Sequence, residues 1–373
     1  MGVADLADYP WDAVAPFAAT AHAHPGGAVD LSVGSPIDPT PRVASDALRE
    51  ASDAPSYPAT AGTERLREAV AAWYARVRGV PGLTAEQVLP TIGSKEFVAL
   101  LPLLLGLGPG DVVVHPRAAY PTYEVGARLV GAEPVAEDDP ERWPARTRLV
   151  WINSPGNPDG RVWDAGLLAI ARGRARAFGA VLAGDECYAE LGWDSPWDHT
   201  IIPSVLDPAV AAGRLDGLLS VSSLSKRSNL AGYRAAFVAG DAALIARLTT
   251  ARKHLGLMVP APVQTAMAAA LADDDHVRVQ KERYRRRRDA LLPALAHAGF
   301  RVEGSAAGLY LWATLEEDCW RTMGRLAEIG ILGGPGAFYG PVGAQHVRLA
   351  LTATDERVAA AADRLGAVSW GSG

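Results

Sequence analysis

Lys226 stands between two side chains able to hold a phosphate, Ser223 three residues before it and Arg234 eight after it. They belong to one run, Ser222-Ser223-Leu224-Ser225-Lys226-Arg227-Ser228-Asn229-Leu230-Ala231-Gly232-Tyr233-Arg234. The apolar segment Leu218 to Val221 that leads into it reads as a strand, and the small polar residues after it would leave the lysine open to a cleft. An amine so placed can form a Schiff base with a carbonyl. Serine offers a hydroxyl and arginine a charged planar fork to phosphate oxygens. A surface loop that happens to hold Lys and Arg is the competing reading of any lone lysine, so other motifs must decide.

Three do. Thr91-Ile92-Gly93-Ser94-Lys95-Glu96 ends a strand-like segment and opens an apolar helix, where free N–H groups and the helix dipole attract a phosphate; taken alone it is an ordinary N-cap. In Asn153-Ser154-Pro155-Gly156-Asn157-Pro158-Asp159-Gly160, two prolines and two glycines make a stiff turn that presents Asn157 rigidly, able to bond a phenolic oxygen on a ring. A plain loop is the alternative. Asp185-Glu186-Cys187-Tyr188 closes the apolar run Ala180 to Ala183. A carboxylate at that depth is costly unless paired. A protonated pyridine nitrogen would pair with it, and Tyr188 could point back to the same ring; otherwise Asp185 is a helix cap. An amine, a phosphate pocket and a ring-nitrogen partner together suggest pyridoxal 5′-phosphate.

These motifs need a frame, and the stretch from Leu89 to Gly240 supplies an alternating one. Strands are predicted at Val112 to His115, Leu149 to Asn153, Val181 to Gly184, Leu218 to Val221 and Ala235 to Ala239. Helices are predicted at Ser94 to Leu105, Pro121 to Val130, Ala165 to Phe178 and Asp241 to His254. The alternation predicts an α/β unit with a mainly parallel sheet, whose ligands lie at the carboxyl ends of its strands. Beyond about residue 265 a charged helix, Lys281 to His297, is followed by strand-like Phe300 to Val302, Leu309 to Thr314 and His346 to Leu351 and a final helix, a smaller α+β pattern. We divide the chain into an N-terminal segment 1–40 that drapes over the rest, a large unit 41–265 and a small unit 266–373.

Composition narrows the partners. With 373 residues, 49% hydrophobic and 21% charged, the chain exceeds one compact core. Its formal net charge of -6 argues against nucleic acid, and the run Arg285 to Arg288 reads as a solvated helix face. Two cysteines, Cys187 and Cys319, provide neither a disulfide framework nor a metal cluster and fit a cytoplasmic setting. Met1 to Leu6 carries no export or myristoylation signal, and the apolar stretch Phe97 to Leu107, too short to span a membrane, reads as a buried helix.

In their order and spacing the four motifs resemble the fold-type I pyridoxal phosphate enzymes, the aspartate aminotransferase superfamily. Asn157-Pro158-Asp159-Gly160, Asp185-Glu186-Cys187-Tyr188 and Ser223-Leu224-Ser225-Lys226 hold the family's spacing, with Asp159 where the family usually has threonine or serine. The resemblance implies a large domain with a mainly parallel seven-stranded sheet plus a smaller α+β domain. It implies that Lys226 forms the Schiff base, that Asp185 partners the pyridine nitrogen, and that Asn157 and Tyr188 bond the ring oxygen. Ser94, Lys95, Ser223 and Arg234 would hold the phosphate, the first two mainly through backbone N–H groups, and Tyr120 would stack on the ring. Tyr57 would reach the phosphate of a neighbouring subunit, making a homodimer with shared sites. Arg348 and Gly34 would receive the substrate's α-carboxylate, with Asn157 beside them.

The implied reaction is a ping-pong transamination between amino acids and 2-oxo acids. Trp11-Asp12, His24-Pro25-Gly26-Gly27, Tyr120-Pro121-Thr122-Tyr123-Glu124 and Leu351-Thr352-Ala353-Thr354-Asp355 resemble actinobacterial succinyldiaminopimelate aminotransferases of lysine biosynthesis. That likeness implies N-succinyl-2-amino-6-oxopimelate with glutamate and 2-oxoglutarate, and a second cation for the extra carboxylates, for which Arg227 is a candidate by adjacency alone. Gly333 to Phe338 and Ser305 to Leu309 are richer in glycine and alanine than in those relatives. An aminotransferase for aromatic or other amino acids, a β-lyase, and a non-enzymatic cofactor-binding regulator remain alternatives.

Overall fold

Period-two alternation of apolar side chains decides the main sheet. The structure, a computed structural model, describes residues 10–370; Met1 to Leu6 lies outside the described residues. A short strand β1 (Val29–Asp30) precedes seven strands of one sheet: β2 (Val88–Ile92), β3 (Val112–His115), β4 (Glu133–Ala136), β5 (Thr147–Asn153), β6 (Val181–Asp185), β7 (Leu218–Ser223) and β8 (Ala235–Gly240). Their order is β2-β8-β7-β6-β5-β3-β4, with β8 antiparallel to both neighbours and the other pairings parallel. Val112, Val114, Val150, Ile152 and Leu182 face helices Glu64–Val77, Ala165–Phe178 and Ala261–Leu271. Val113, Leu149, Trp151, Ala183 and Leu219 face helices Ser94–Leu104, Thr122–Leu129 and Ala242–His254. Burial on both faces is what a mainly parallel sheet requires.

The predicted strands and helices of this alternating stretch form within one or two residues of their expected ends, and Ala165–Phe178 matches at both. β4 was not anticipated. Its Glu133-Pro134-Val135-Ala136 is half exposed and holds a proline, tolerable because β4 is the edge strand. The apolar segment from Phe97 is only partly interior: its helix buries Phe97, Val98 and Leu101 while Leu103 faces out.

After helix Asp275–His297 come β9 (Arg301–Glu303), β10 (Tyr310–Thr314), β11 (Ile331–Leu332), β12 (Gly334–Pro335) and β13 (His346–Ala350). Four form an antiparallel sheet in the order β12-β13-β10-β9. Leu311, Val347 and Leu349 pack with Tyr284, Leu291, Leu295 and with Val358, Ala361 and Leu365 of helix Asp355–Gly366. β11 instead pairs in parallel with β1, Val29 opposite Ile331. The Leu31 N–H then reaches the Leu332 carbonyl at 2.8 Å, and the Ala350 N–H reaches the Leu31 carbonyl at 2.7 Å. The N-terminal segment thus lies against the small sheet.

The basic run departs from expectation. Arg287 and Arg288 are buried: Arg287 bonds Asp38 at 2.7 Å and Asp355 at 2.6 Å, and Arg288 bonds Asp194 at 2.7 Å. Arg285 rests on the Trp193 ring, 5.6 Å from its centroid. Their helix is covered on more than one side, so these guanidiniums tie segments together rather than facing water.

Candidate active site

Parallel register brings the motifs to one edge. Asn153 ends β5, Asp185 ends β6 and Ser223 ends β7, with Asn153 opposite Asp185 and Asp185 opposite Val221. The sheet pairs Ile92 with Ala235 and Ser223 with Ala236, so Gly93, Arg234 and Ser223 meet at the same edge. Gly93 has φ +76°, donates its N–H to the Arg234 carbonyl at 2.8 Å and caps helix Ser94–Leu104. A Cβ at Gly93 would sit 2.3 Å from the Arg234 guanidinium, so the cradle exists only with glycine. Ser223 Oγ lies 2.8 Å from Ser225 Oγ and accepts the Ser225 N–H at 3.1 Å.

Asp185 is buried, and burial pushes its carboxyl above the ordinary value. It accepts the Tyr123 hydroxyl at 2.8 Å and the Cys187 N–H at 3.3 Å. Among the described residues no cation pairs with it. Asn153 steadies both neighbouring motifs, donating to the Asp185 carbonyl at 3.0 Å and accepting the Asn157 N–H at 2.7 Å. Burial pushes the Cys187 thiol well up; it lies beside Asp185 and the Ser94 hydroxyl. Tyr120, half-buried, meets Tyr123 edge to face at 6.1 Å, and Lys95 Nζ is 5.9 Å from its ring centroid.

Lys226 lies on the short helix Leu224–Arg227, and its amine donates to the Gly34 carbonyl. Burial lowers the amine's pKa, with nearby Tyr310 acting the other way. A Cβ at Gly34 would lie 2.1 Å from the Tyr310 hydroxyl oxygen, so any side chain here must push Tyr310 aside. Tyr310 Oη is 3.2 Å from Tyr188 Oη, with the rings edge to face at 5.7 Å. Within this pair burial pushes Tyr188 well up. Burial acts the same way on Tyr310, but the charges of Arg348 and Lys226 carry its phenol below the ordinary value.

Arg348, 4% exposed, projects from β13 opposite Trp312. Nη1 donates to Asn157 Oδ1 at 2.9 Å and Nη2 to the Ser32 carbonyl at 2.6 Å. Nε is buried without an acceptor. An unsatisfied buried donor costs about 1–3 kcal/mol, more when charged, a cost that an anion on this guanidinium would remove. Its faces lie 4.0 Å from the Tyr310, 5.0 Å from the Tyr339 and 6.0 Å from the Trp11 ring centroids.

The structure therefore gathers Lys226, Asp185, Asn157, Tyr188, Ser94, Ser223, Arg234, Tyr120, Gly34 and Arg348 around one cleft, with Lys95 at its margin. Tyr57 stands apart, 95% exposed. Arg227 is not available to a substrate: it is buried, paired with Glu190 at 2.5 Å and set against the Trp73 ring. Its neighbour's amine and its own guanidinium point to different partners. The Asp159 side chain accepts the Arg161 N–H at 3.1 Å, while its backbone carbonyl, which any residue would supply, takes the Ser305 N–H at 2.6 Å and brings the Asn157 turn against the Ser305 segment.

Sequence reasoning missed Tyr123 and Tyr310. Tyr123 stands three residues after Tyr120 in the first turn of its helix, where that spacing returns to the same face. Tyr310 shares a strand face with Trp312, by the two-residue period of β10.

The profile of aminotransferase class I and II matches residues 27–365. A 4-dedimethylamino-4-oxo-anhydrotetracycline transaminase of Streptomyces rimosus is 54% identical over 97% of this chain and 99% of its own length. A probable aminotransferase of Mycobacterium tuberculosis is 56% identical over 97% of this chain and 86% of its own. Among solved structures, a probable N-succinyldiaminopimelate aminotransferase of Thermus thermophilus superposes with a TM-score of 0.86 at 30% identity, covering 96% of this chain and all (100%) of the other.

Proposed function

The chain belongs to the class I and II aminotransferases, and we propose that it transfers an amino group between glutamate and N-succinyl-2-amino-6-oxopimelate, in two half-reactions at one site. The observation that carries the reading is the convergence of one partly buried amine, Lys226, one buried carboxylate, Asp185, and the unsatisfied Nε of Arg348. Members of this family use pyridoxal 5′-phosphate, and the residues fit it. Asp185 lacks a cation that a protonated ring nitrogen would supply. The Gly93 turn, Ser94, Ser223 and Arg234 offer N–H groups, hydroxyls and a guanidinium to a phosphate. Asn157 and Tyr188 would bond the ring oxygen, Tyr120 would lie on the ring, and Lys226 would hold the carbonyl carbon.

Bound there, the cofactor supplies an electron sink that makes a substrate's α-proton labile. Freed when the substrate's amine takes its place, Lys226 Nζ, its basicity lowered by burial, would take the proton from the α-carbon and deliver it to the carbon that Lys226 had held, so that the amino group stays behind when the oxo acid leaves. Arg348 fixes the α-carboxylate bidentately, while the aromatic rings around it keep water out. Gly34, between Lys226 and Tyr310, lets the Tyr310 hydroxyl lie against its backbone, and would offer its N–H to the substrate's carboxylate.

The substrate assignment rests on likeness to the Thermus thermophilus protein, named for N-succinyldiaminopimelate. Lys95, exposed beside Tyr120, offers the second cation that such a ligand requires. A second reading, an acceptor with a large aromatic body, is favoured by the rings of Trp11, Tyr310 and Tyr339 and by the likeness to the tetracycline-pathway transaminase. A cytoplasmic homodimer is part of the proposal, with exposed Tyr57 available to a neighbouring subunit's phosphate. Incubation with glutamate and each acceptor, following 2-oxoglutarate release, tests the reading. Faster turnover of the succinylated acceptor supports it, with Lys95→Met raising KM for that acceptor alone; no release of 2-oxoglutarate with that acceptor would sink it.

A further inference from the structure

At the far end of the main sheet from Lys226, where β6 and β7 begin with Val181 and Leu218, lies a cavity of about 410 Å³. It shares no residue with the cleft. Leu105, Leu182, Leu218 and Leu244 give it an apolar floor, and its rim carries four guanidiniums: Arg148, Arg172, Arg176 and Arg247. They come from three separate elements, β5, helix Ala165–Phe178 and helix Ala242–His254.

Two carboxylates reach the cavity, and both are engaged elsewhere. Asp216 pairs with Arg214 at 2.9 Å, and Asp241 accepts the N–H groups of Ala243 at 2.8 Å, Leu244 at 3.2 Å and Gly217 at 2.9 Å. Arg148 donates to the Thr147 carbonyl at 3.1 Å and the Phe178 carbonyl at 3.2 Å, and its one carboxylate neighbour among the described residues, Asp111, is 3.8 Å away. Arg172 makes one long contact, 3.4 Å to the Arg214 carbonyl, and its Nε is buried without an acceptor. Four guanidiniums against the two carboxylates Asp216 and Asp241 leave an excess of positive charge around an apolar floor, in a chain whose net charge is -6, and an anion would relieve it.

We propose that this cavity is a second ligand site, for a small organic anion with an apolar body, such as an aromatic carboxylate or sulfonate. Planar forks suit such head groups bidentately, and the leucines suit the ring. The volume falls in the range of about 300–1,000 Å³ typical of small-molecule sites. Nucleic acid is disfavoured because the cations ring a hollow rather than tracking along a surface.

The probe is 8-anilinonaphthalene-1-sulfonate, titrated calorimetrically into the cofactor-loaded enzyme. The expected result is saturable binding of one probe per chain, weakened by salt and unaffected by saturating 2-oxoglutarate or by Arg348→Ala. The doubly reversed variant Arg176→Glu with Arg247→Glu should bind at least about tenfold more weakly. Both side chains are exposed, so this variant should melt as the parent does and keep its transaminase activity. Equal affinity in the reversed variant, displacement by 2-oxoglutarate, or binding that never saturates would each overturn the site.

Discussion

The Arg348 guanidinium donates to Asn157 Oδ1 across 2.9 Å, joining the small sheet to the turn that follows β5. One amide therefore serves two sides of the cleft, the arginine for the substrate and, in our proposal, the cofactor's ring oxygen. Arg348→Ala should lower kcat/KM by roughly 2–5 kcal/mol, mostly through KM, as expected for loss of a buried charge that grips an anion. Asn157→Ala should cost less and affect both kcat and KM. Steady-state kinetics with glutamate decide this; an unchanged KM in Arg348→Ala would remove the carboxylate assignment.

Gly34 and Tyr310 are fitted to each other. Gly34→Ala should leave the melting temperature nearly unchanged and slow the reaction sharply, because relief requires Tyr310 to shift away from Tyr188 and Arg348. Combining it with Tyr310→Phe, which deletes the oxygen 2.1 Å from the added Cβ, should recover part of the lost rate; the ring carbons at 2.7 Å prevent full recovery. Additive losses in the double variant would argue against this contact. Spectrophotometric titration gives a second readout: Tyr310→Phe should abolish the earliest-ionising phenol, since Arg348 and Lys226 hold it below the ordinary value near about 10.

Lys226→Ala should bind the cofactor without the visible absorbance of the parent and should lose measurable transamination. Glutamate should bleach the parent's band and release 2-oxoglutarate, whereas the variant, without the amine that moves the proton, should release none. A variant that keeps the parental spectrum would leave the proposed chemistry without its amine.

Close to Lys226, Ser228 Oγ lies 2.8 Å from His276 Nε2, and His276 Nδ1 lies 2.8 Å from Asp273 Oδ2. These are the distances of a nucleophilic triad, yet Ser228 is fully buried, so the array is structural. Burial lowers the pKa of His276, with Arg227 adding to the effect against Asp273 and Glu190. A histidine held neutral in the fold binds fewer protons than in the unfolded chain, so its contribution to stability is present above the unfolded pKa of about 6.5 and falls as pH drops below it. Denaturant melts of parent and His276→Gln should diverge at pH 7 and converge toward pH 5. The same difference at every pH would show that His276 does not titrate in this way, and esterase activity abolished by Ser228→Ala would show the array to be catalytic.

Much of the site could be read from the chain because its chemistry sits in short contiguous motifs at strand ends. The Lys226, Asp185, Asn157 and Gly93 motifs each carry a turn or strand signal beside the reactive group, and parallel register does the rest. Tyr123 and Tyr310 escaped because a lone tyrosine has the same appearance whether it packs or bonds; only Asp185 and Arg348, far away in the chain, distinguish them. Arg227, Arg287 and Arg288 were misread for the converse reason. A charged residue on a helix suggests water unless its partner is known, and Glu190, Asp38 and Asp194 come from distant segments. β4 was lost because an edge strand need not be apolar.

The pairing of Val29 with Ile331 sets an order on biosynthesis. A nascent chain exposing residues up to 271 already holds the amine, the carboxylate, the phosphate cradle and the helices that cover both faces of the main sheet. Its Gly34 strap still has nowhere to lie, since β11 and β13 are not yet made. The half of the cleft that meets the cofactor can thus form on the ribosome, while the half that selects the substrate waits for the last tenth of translation. A prematurely terminated product would present a reactive lysine with no arginine to choose what reaches it.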